Sequence, residues 1–353
     1  MKLSVIIANH NHADFVGAAI SSALAIYWPE KEVIVVDDAS TDGSRRVIEG
    51  FSGKVAAHFR PKSHQLGAHI FGFEQSTGDV IIFLDADDLL EPEVMREVAK
   101  VWRRGVSKVQ FRMNLIDACD AHLGSAIPQF PPKEDPERLR RTFLRTMAYT
   151  TPPGTGNAYS RNFVRDVFAY SPSIPQSDAV LLTLAPILGD VLTIRKPLAQ
   201  YRVHDASYSG MRSLDAFKLR ARLHQDVEKV RLFTSVSRQL GLSIPSDPLR
   251  YSLNHLQYRL ASYLVERSAH PFPDDRMVGL VYRLLFSAAA TPQMRLRDRA
   301  ILMAWTIACA LSPPGFRRNL ILWRFAAISR PQPIKALLGA FSSLRSPRLP
   351  DRA

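Results

Sequence analysis

Two β-branched runs in the first ninety residues each end in aspartates, and this pairing constrains the fold more than any other feature of the chain. Val33-Ile34-Val35-Val36 runs into Asp37-Asp38, and Val80-Ile81-Ile82-Phe83-Leu84 runs into Asp85-Ala86-Asp87-Asp88. Continuous apolar runs of this length, bounded by polar turns, read as strands buried on both faces. Strands at 2–8, 32–36 and 79–84, with a weaker one at 55–58, alternate with helical patterns at 13–24, up to Glu49 from an opening at Ser40-Thr41-Asp42-Gly43-Ser44, and at 66–75. The alternation predicts a parallel sheet covered on both faces. Ligands of such sheets bind beyond the carboxyl ends of the strands, where both aspartate clusters fall.

Four or five carboxylates at one sheet edge repel one another unless a cation or hydrogen-bond donors compensate. Oxygen donors of this kind suit Mg²⁺ or Mn²⁺, which can bridge phosphate oxygens. The pattern points to a nucleotide diphosphate, with one carboxylate on the base or ribose and another on the metal. The metal would act as a Lewis acid toward a leaving diphosphate. Helix capping is the plainer role for an aspartate at the start of a helix, and it is the role assigned to Asp42. Three carboxylates within residues 85–88 exceed what a cap needs. Asp178 precedes an apolar helix predicted over 179–188 and could both cap it and do chemistry.

Farther along, a helix is predicted at 91–100, a strand at 108–117, a proline-rich loop at 128–136, a helix at 137–147, a turn-rich segment at 149–156 and a strand at 190–194. Long Arg- and Leu-rich amphipathic stretches then cover 214–240 and 252–267, so a domain boundary is placed near 210. Charge divides at the same point. Residues 1–210 carry a net −1 and residues 211–353 a net +14, nearly all of it arginine. The expectation is a catalytic domain over 1–210 and a basic, helical extension over 211–353 facing a polyanionic partner.

Arg295, Arg297, Arg299, Arg317, Arg318 and Arg324 flank apolar stretches containing Trp305 and Trp323. They fit a helix in the interface of an anionic membrane, or a helical cap with Trp305 in a core. No nucleic-acid-binding motif is present. The longest strongly apolar run, 301–311, has 11 residues, short of the roughly 20 a spanning helix needs. The N-terminus lacks the pattern of a signal peptide. Cys119 and Cys309 make neither a disulfide framework nor a zinc site. With 46% hydrophobic residues, disorder is excluded as the main state. The expected location is cytoplasmic, peripheral at the inner face of the cell membrane.

Ser4-Val5-Ile6-Ile7, the run from Val33 through Ser44, and Gly78-Asp79 through Asp88 together resemble a family 2 glycosyltransferase. The resemblance continues in family order through Thr155-Gly156-Asn157-Ala158, Asp178 and the stretch from Pro197 to His204, covering roughly residues 1–210. It implies an α/β fold of the GT-A type and an inverting transfer of sugar from a nucleotide-diphosphate donor, first of all a UDP-sugar, to a hydroxyl of a saccharide or lipid-linked acceptor in polysaccharide or surface glycan synthesis. Residue by residue, it implies that Asp38 accepts from the donor's base, with Ala8, Asn9 and His10 beneath that base. It places Asp85 near the ribose and Asp87 on the metal, with Asp88 sharing either task. It makes Asp178 the catalytic base and His204 part of the metal or diphosphate site.

Three positions depart from the family pattern. Ala8-Asn9-His10-Asn11 stands where Pro-x-Tyr-Asn is usual, Ile70 where an Asn is frequent, and Ser177 where a second acidic residue often precedes the base. Rival classes fare worse. A sugar-nucleotide pyrophosphorylase would want a basic, Gly-rich phosphate loop, and residues 8–20 hold only Gly17 and no Lys or Arg. No Gly-x-Gly-x-x-Gly follows the first strand, as a dinucleotide-binding dehydrogenase would require. The remaining alternative is a non-catalytic scaffold with a degenerate transferase fold that binds a glycan or a partner protein.

Overall fold

The computed structural model describes residues 1–132, 135–170, 177–204, 216–291, 294 and 296–325. Two compact units divide the chain: Met1–Val203 with Arg222–Leu256, and His204–Ala221 with Gln257 onward.

The first unit opens with the expected alternation: β1 (Leu3–Asn9), α1 (Ala13–Leu24), β2 (Lys31–Asp38), α2 (Ser44–Glu49), β3 (Ala56–Arg60), α3 (His64–Gln75) and β4 (Val80–Asp85). These four strands are mutually parallel in the order β3-β2-β1-β4. After β3 the chain crosses β1 to lay down β4, so strand order reverses between β1 and β4. Such a switch point leaves a crevice at the carboxyl ends. Register puts Ala8 opposite both Val36 and Asp85, and Asn9 opposite Asp37. Both aspartate clusters therefore emerge at one edge.

The rest of the sheet is mixed rather than parallel. β5 (Leu89–Leu90), α4 (Val94–Val101), β6 (Val106–Ile116), β7 (His122–Ile127), α5 (Pro136–Thr146), β8 (Asn157–Ser160), α6 (Arg161–Ala169), α7 (Ser177–Leu188) and β9 (Asp190–Arg202) follow in chain order. β8 inserts antiparallel between β4 and β6, and β9 pairs parallel with β6. The short β8 follows the Pro- and Gly-rich turn, where its polar composition hides a strand. β9 runs to Arg202, well past the apolar stretch that marks its start, because pairing with β6 continues through polar residues.

Apolar side chains fill both faces of the sheet. Val5, Ile7, Val33, Val35, Ile82 and Leu84 face α1 and α4, while Ile6, Ile34, Ile81 and Phe83 face the side of α5, α6 and α7. Phe233 and Val236, from the first-unit part of α8 (Ala216–Gln239), join the second cluster.

The second unit is helical. Its described residues include most of α9 (Leu253–Val265), then α10 (Met277–Ala290), α11 (Leu296–Leu311) and α12 (Pro314–Phe325). Asp275 ties it together, accepting from Arg259, His270 and Arg283, which hold its carboxyl down at about 2 despite burial. Trp305 is internal, 9% exposed, and its indole N–H donates to the Leu320 carbonyl at 2.9 Å. Among the described residues no helix is long and apolar enough to cross a membrane.

Gly78 sits where β4 begins to pair with β1. Its N–H donates to Ser4 Oγ at 2.8 Å, and a Cβ there would lie 2.4 Å from that oxygen and 2.6 Å from the Ser4 nitrogen. Since backbone is one of the obstacles, relief would require the strand start to move. Gly78→Ala is expected to cost about 2 kcal/mol of stability, read as a lowered urea midpoint; an unchanged midpoint would contradict this packing.

Candidate active site

Three loops at the carboxyl edge bind one another tightly. Asn9 Nδ2 donates to Asp37 Oδ1 at 2.7 Å and to Ser40 Oγ at 3.1 Å, while the Asn11 side chain accepts from the Thr41 N–H at 2.7 Å. Asp42 has the capping role expected of it, accepting from the N–H groups of Ala13 and Ser44, both at 2.9 Å. Asn11, Ala39 and His64 all have φ near +60°. Non-glycine residues rarely adopt this conformation, and when they do they cluster at functional sites. Asn9 is 1% exposed, and its Oδ1 has no hydrogen-bond partner among the described residues.

Asp38 is also buried. It accepts from the Ser63 N–H and hydroxyl, and Lys62 Nζ lies 3.1 Å from its Oδ2. Burial pushes its pKa up, but these donors outweigh it and hold the carboxyl below its ordinary value. It is an anion at neutral pH, ringed by the β3–α3 loop.

The turn after β4 carries Asp85, Asp87 and Asp88. Asp85 and Asp87 are partly exposed; Asp88 is 1% exposed and turned inward. Arg202, at the end of β9, braces this turn from below. Its backbone N–H donates to Asp88 Oδ1 at 3.0 Å and its Nε to the Asp87 carbonyl at 2.7 Å. The guanidinium also pairs with Asp120 at 2.6 Å and lies over the Phe15 ring at 4.9 Å. Thr155 ties the turn to β8, accepting from the Asp85 N–H at 3.1 Å and donating to Asp88. Burial, with Asp87 adding repulsion, pushes Asp88 up to about 8.

Asp178 reaches the same place from the start of α7. Burial pushes Asp85 well above the usual carboxylate range, and the Asp178 charge adds to the shift. The two residues meet neighbouring positions of one turn, Asp85 through its N–H to Thr155 and Asp178 through the Gly154 N–H. Asp178 itself is pushed up to about 6 by burial, moderated by the Gly154 N–H and by the Lys108 and Lys229 cations. Gly154 is required here: a Cβ would lie 2.5 Å from Asp178 Oδ2. The turn holding Gly154 is fixed by Asn157, whose Nδ2 donates to the carbonyls of Pro153 and Gly154. Asn157 Oδ1 in turn accepts from Lys108 Nζ at 2.8 Å. Ser177, which stands where the family often has an acid, hydrogen-bonds His69 Nδ1 at 2.5 Å. His69 is stacked on Phe83, and burial pulls its pKa down to about 3, so it is neutral.

Asp87 meets an imidazole. His12 and Asp87 each offer one ligand atom, and the two atoms lie within 4.8 Å of each other; His204 follows β9 directly, at the start of the second unit. Bonds of about 2.1 Å to one divalent ion could span that spacing with small side-chain movements, and a carboxylate with an imidazole is a donor set for divalent cations. The residues fit a metal.

The structure thus gathers Ala8, Asn9 and Asp38 along the β1–β2 edge, brings Asp85 and Asp178 to the Gly154–Thr155 turn, sets Asp87 beside His12, and leaves His204 just past β9. Four supporting residues lie outside the predicted set. Lys108 could have been found as a lone cation within an apolar strand, and Arg202 as the residue two before His204. Thr155 lies in the Thr155-Gly156-Asn157-Ala158 stretch that carries the resemblance, though with no role assigned to it there, and His12 carries no comparable signal, because a histidine at a helix start is common.

The resemblance implies that Asp178 is a general base, which must be deprotonated to work; on that expectation activity rises with pH through about 6. Lys108 stabilises the charged form of Asp178, and Lys108→Met should move the acid limb of the kcat/KM profile up by about one unit. An unshifted limb in a folded variant would contradict this electrostatic role.

Comparison with known proteins agrees with this geometry. Residues 4–168 match the sequence profile of Glycosyl transferase family 2. The chain is 35% identical over 215 residues to an uncharacterised glycosyltransferase of Nostoc sp., covering 59% of this chain and 66% of the relative. It is 29% identical over 109 residues to the poly(ribitol-phosphate) beta-N-acetylglucosaminyltransferase TarS of Staphylococcus aureus, covering 28% and 18% respectively. The aligned stretches thus span just under two thirds of the first relative and a much smaller share of TarS. The crystal structure of S. aureus TarS 1–349 in complex with UDP-GlcNAc is alike in fold, with a TM-score of 0.51 over 92% of both chains at 17% identity. Residues 4–168 thus carry a glycosyltransferase family 2 domain, and the first unit has a fold of the GT-A type.

Proposed function

We propose that the protein transfers a sugar, with inversion, from a nucleotide-diphosphate sugar to a hydroxyl of a saccharide or lipid-linked acceptor during polysaccharide or surface glycan assembly. The observation that carries this reading is the convergence of Asp85 and Asp178 on the Gly154–Thr155 turn. The Asp85 N–H donates to Thr155 Oγ1 at 3.1 Å and the Asp178 carboxylate accepts from the Gly154 N–H, so two acidic residues from distant parts of the chain reach one turn, each at an energetic cost to the charged form. The UDP-GlcNAc bound to TarS and the TarS name support a UDP-sugar as donor.

In this reading Asp38 accepts from the base, over the floor of Ala8 and Asn9, and Asp85 accepts from the ribose. Asp88 acts indirectly, fixing the turn through Arg202 and Thr155. Asp87 and His204 would hold Mg²⁺ or Mn²⁺, which supplies charge neutralisation for the diphosphate. The acceptor oxygen attacks the anomeric carbon as the bond to the diphosphate oxygen breaks on the opposite face. Asp178 takes the hydroxyl proton, and nucleoside diphosphate leaves. The contribution of these residues is orientation, one base and charge compensation.

Catalysis is assigned to residues 1–210. The arginines of 211–353 would direct the enzyme to an anionic surface, consistent with work at the cytoplasmic face of a membrane. Calorimetric titration of UDP, GDP and TDP, with and without Mn²⁺, tests the donor site. One nucleotide, UDP first, should bind with metal dependence, and Asp87→Ala should weaken that binding at least about tenfold. Binding of no nucleotide by the folded protein would overturn the reading.

A further inference from the structure

Family resemblance assigns Asp87 and His204 to the metal and leaves the β1–α1 loop to the base. His12, which ends that loop, nonetheless has a ring nitrogen within 4.8 Å of a carboxylate oxygen of Asp87. It occupies the N-cap position of α1 but makes no side-chain capping hydrogen bond. The first N–H of the helix is satisfied by Asp42 instead. The ring is therefore not needed to close the helix end, while the backbone that carries it is fixed by the Asn11–Thr41 and Asn11–Ser40 hydrogen bonds.

We infer that His12 is a third protein ligand of the divalent cation and that it sets the metal preference of the site, favouring Mn²⁺ over Mg²⁺. This inference rests on the donor-site reading above, because it takes Asp87 as a ligand.

The chemistry follows from the donor atoms. Mg²⁺ is a hard ion that prefers oxygen and keeps much of its water, so it gains little from replacing a water by imidazole. Mn²⁺ accepts nitrogen more readily, and affinity for nitrogen donors rises further along the series toward Co²⁺ and Zn²⁺. A site of one carboxylate and one imidazole discriminates weakly between Mg²⁺ and Mn²⁺; a second imidazole adds a donor that only the softer ion uses well. Preorganisation strengthens the effect. Arg202 Nε holds the Asp87 carbonyl, and the strand carrying Arg202 leads directly into His204, while Asp42 and Asn11 hold the approach to His12. Ligands fixed by their surroundings lose less freedom when the ion arrives.

Calorimetry of the full chain with MnCl₂ and with MgCl₂ tests the inference without any turnover. Wild type should bind Mn²⁺ more tightly than Mg²⁺. His12→Ala should weaken Mn²⁺ at least about tenfold and change Mg²⁺ by less than about threefold, so that the preference collapses. His12→Asp, which returns an oxygen donor, should recover binding but tilt it toward Mg²⁺. Thermal unfolding of both variants checks that they are folded, and His12→Asp keeps the test open if His12→Ala is not. If Mn²⁺ affinity is unchanged in a folded His12 variant while Asp87→Ala abolishes it, the role of His12 is overturned and the donor-site reading stands. If wild type binds neither ion, both fall.

Discussion

A buried guanidinium holds the catalytic edge in shape. Arg202 is 2% exposed, and a charge at that depth is tolerable only with partners on every side. It finds them in the Asp87 carbonyl, the Asp117 carbonyl, the Asp120 carboxylate and the face of Phe15. Its own N–H adds a hydrogen bond to Asp88. Through these contacts one residue joins the end of β9, the turn after β4, the β6–β7 hairpin and helix α1. The position of Asp87 and the direction in which the chain continues to His204 both follow from it.

Charge is the second constraint. Asp85, Asp88 and Asp178 all have pKa values pushed upward, chiefly by burial. Folding the domain therefore places carboxylates where their charged forms are disfavoured, and nearby groups compensate unequally. Asp38, with Lys62 and Ser63, is an anion in its own right. Asp178, with the Gly154 N–H and two lysine cations, is pushed up only to about 6, a value suited to the base role proposed for it. The Asp85 carboxylate accepts a long hydrogen bond from Gln65 Nε2, at 3.3 Å, and gains most from a ligand that brings hydroxyl donors or positive charge.

Much of this was legible in the sequence, for a physical reason. Strands buried on both faces must be continuously apolar, so β1, β2 and β4 announce themselves, and the polar residues that end them mark the edge. The aspartates at 37–38 and 85–88 stand out because nothing in a plain parallel sheet needs them. What stayed hidden depends on contacts between distant segments. β8 is a four-residue strand whose identity comes from pairing with β4 and β6. Lys108 becomes meaningful only when Asn157 and Gly154 place it behind Asp178. Trp305, which the arginines around it made a candidate for a membrane surface, is enclosed by its own unit. The packing of Arg222–Leu256 with the first unit rests on Phe233 and Val236, which look like any apolar pair on an amphipathic helix.

The most direct measurement is transfer and donor binding by Asp178→Asn, assayed side by side with wild type using a UDP-sugar and Mn²⁺. The substitution keeps size and removes the proton acceptor. Donor affinity should stay within about threefold while turnover falls by about 100-fold or more, the contribution expected of a positioned base. Turnover near the wild-type level in this variant would contradict the assignment of Asp178 as the base, and with it the reason for gathering Asp85 and Asp178 at one turn.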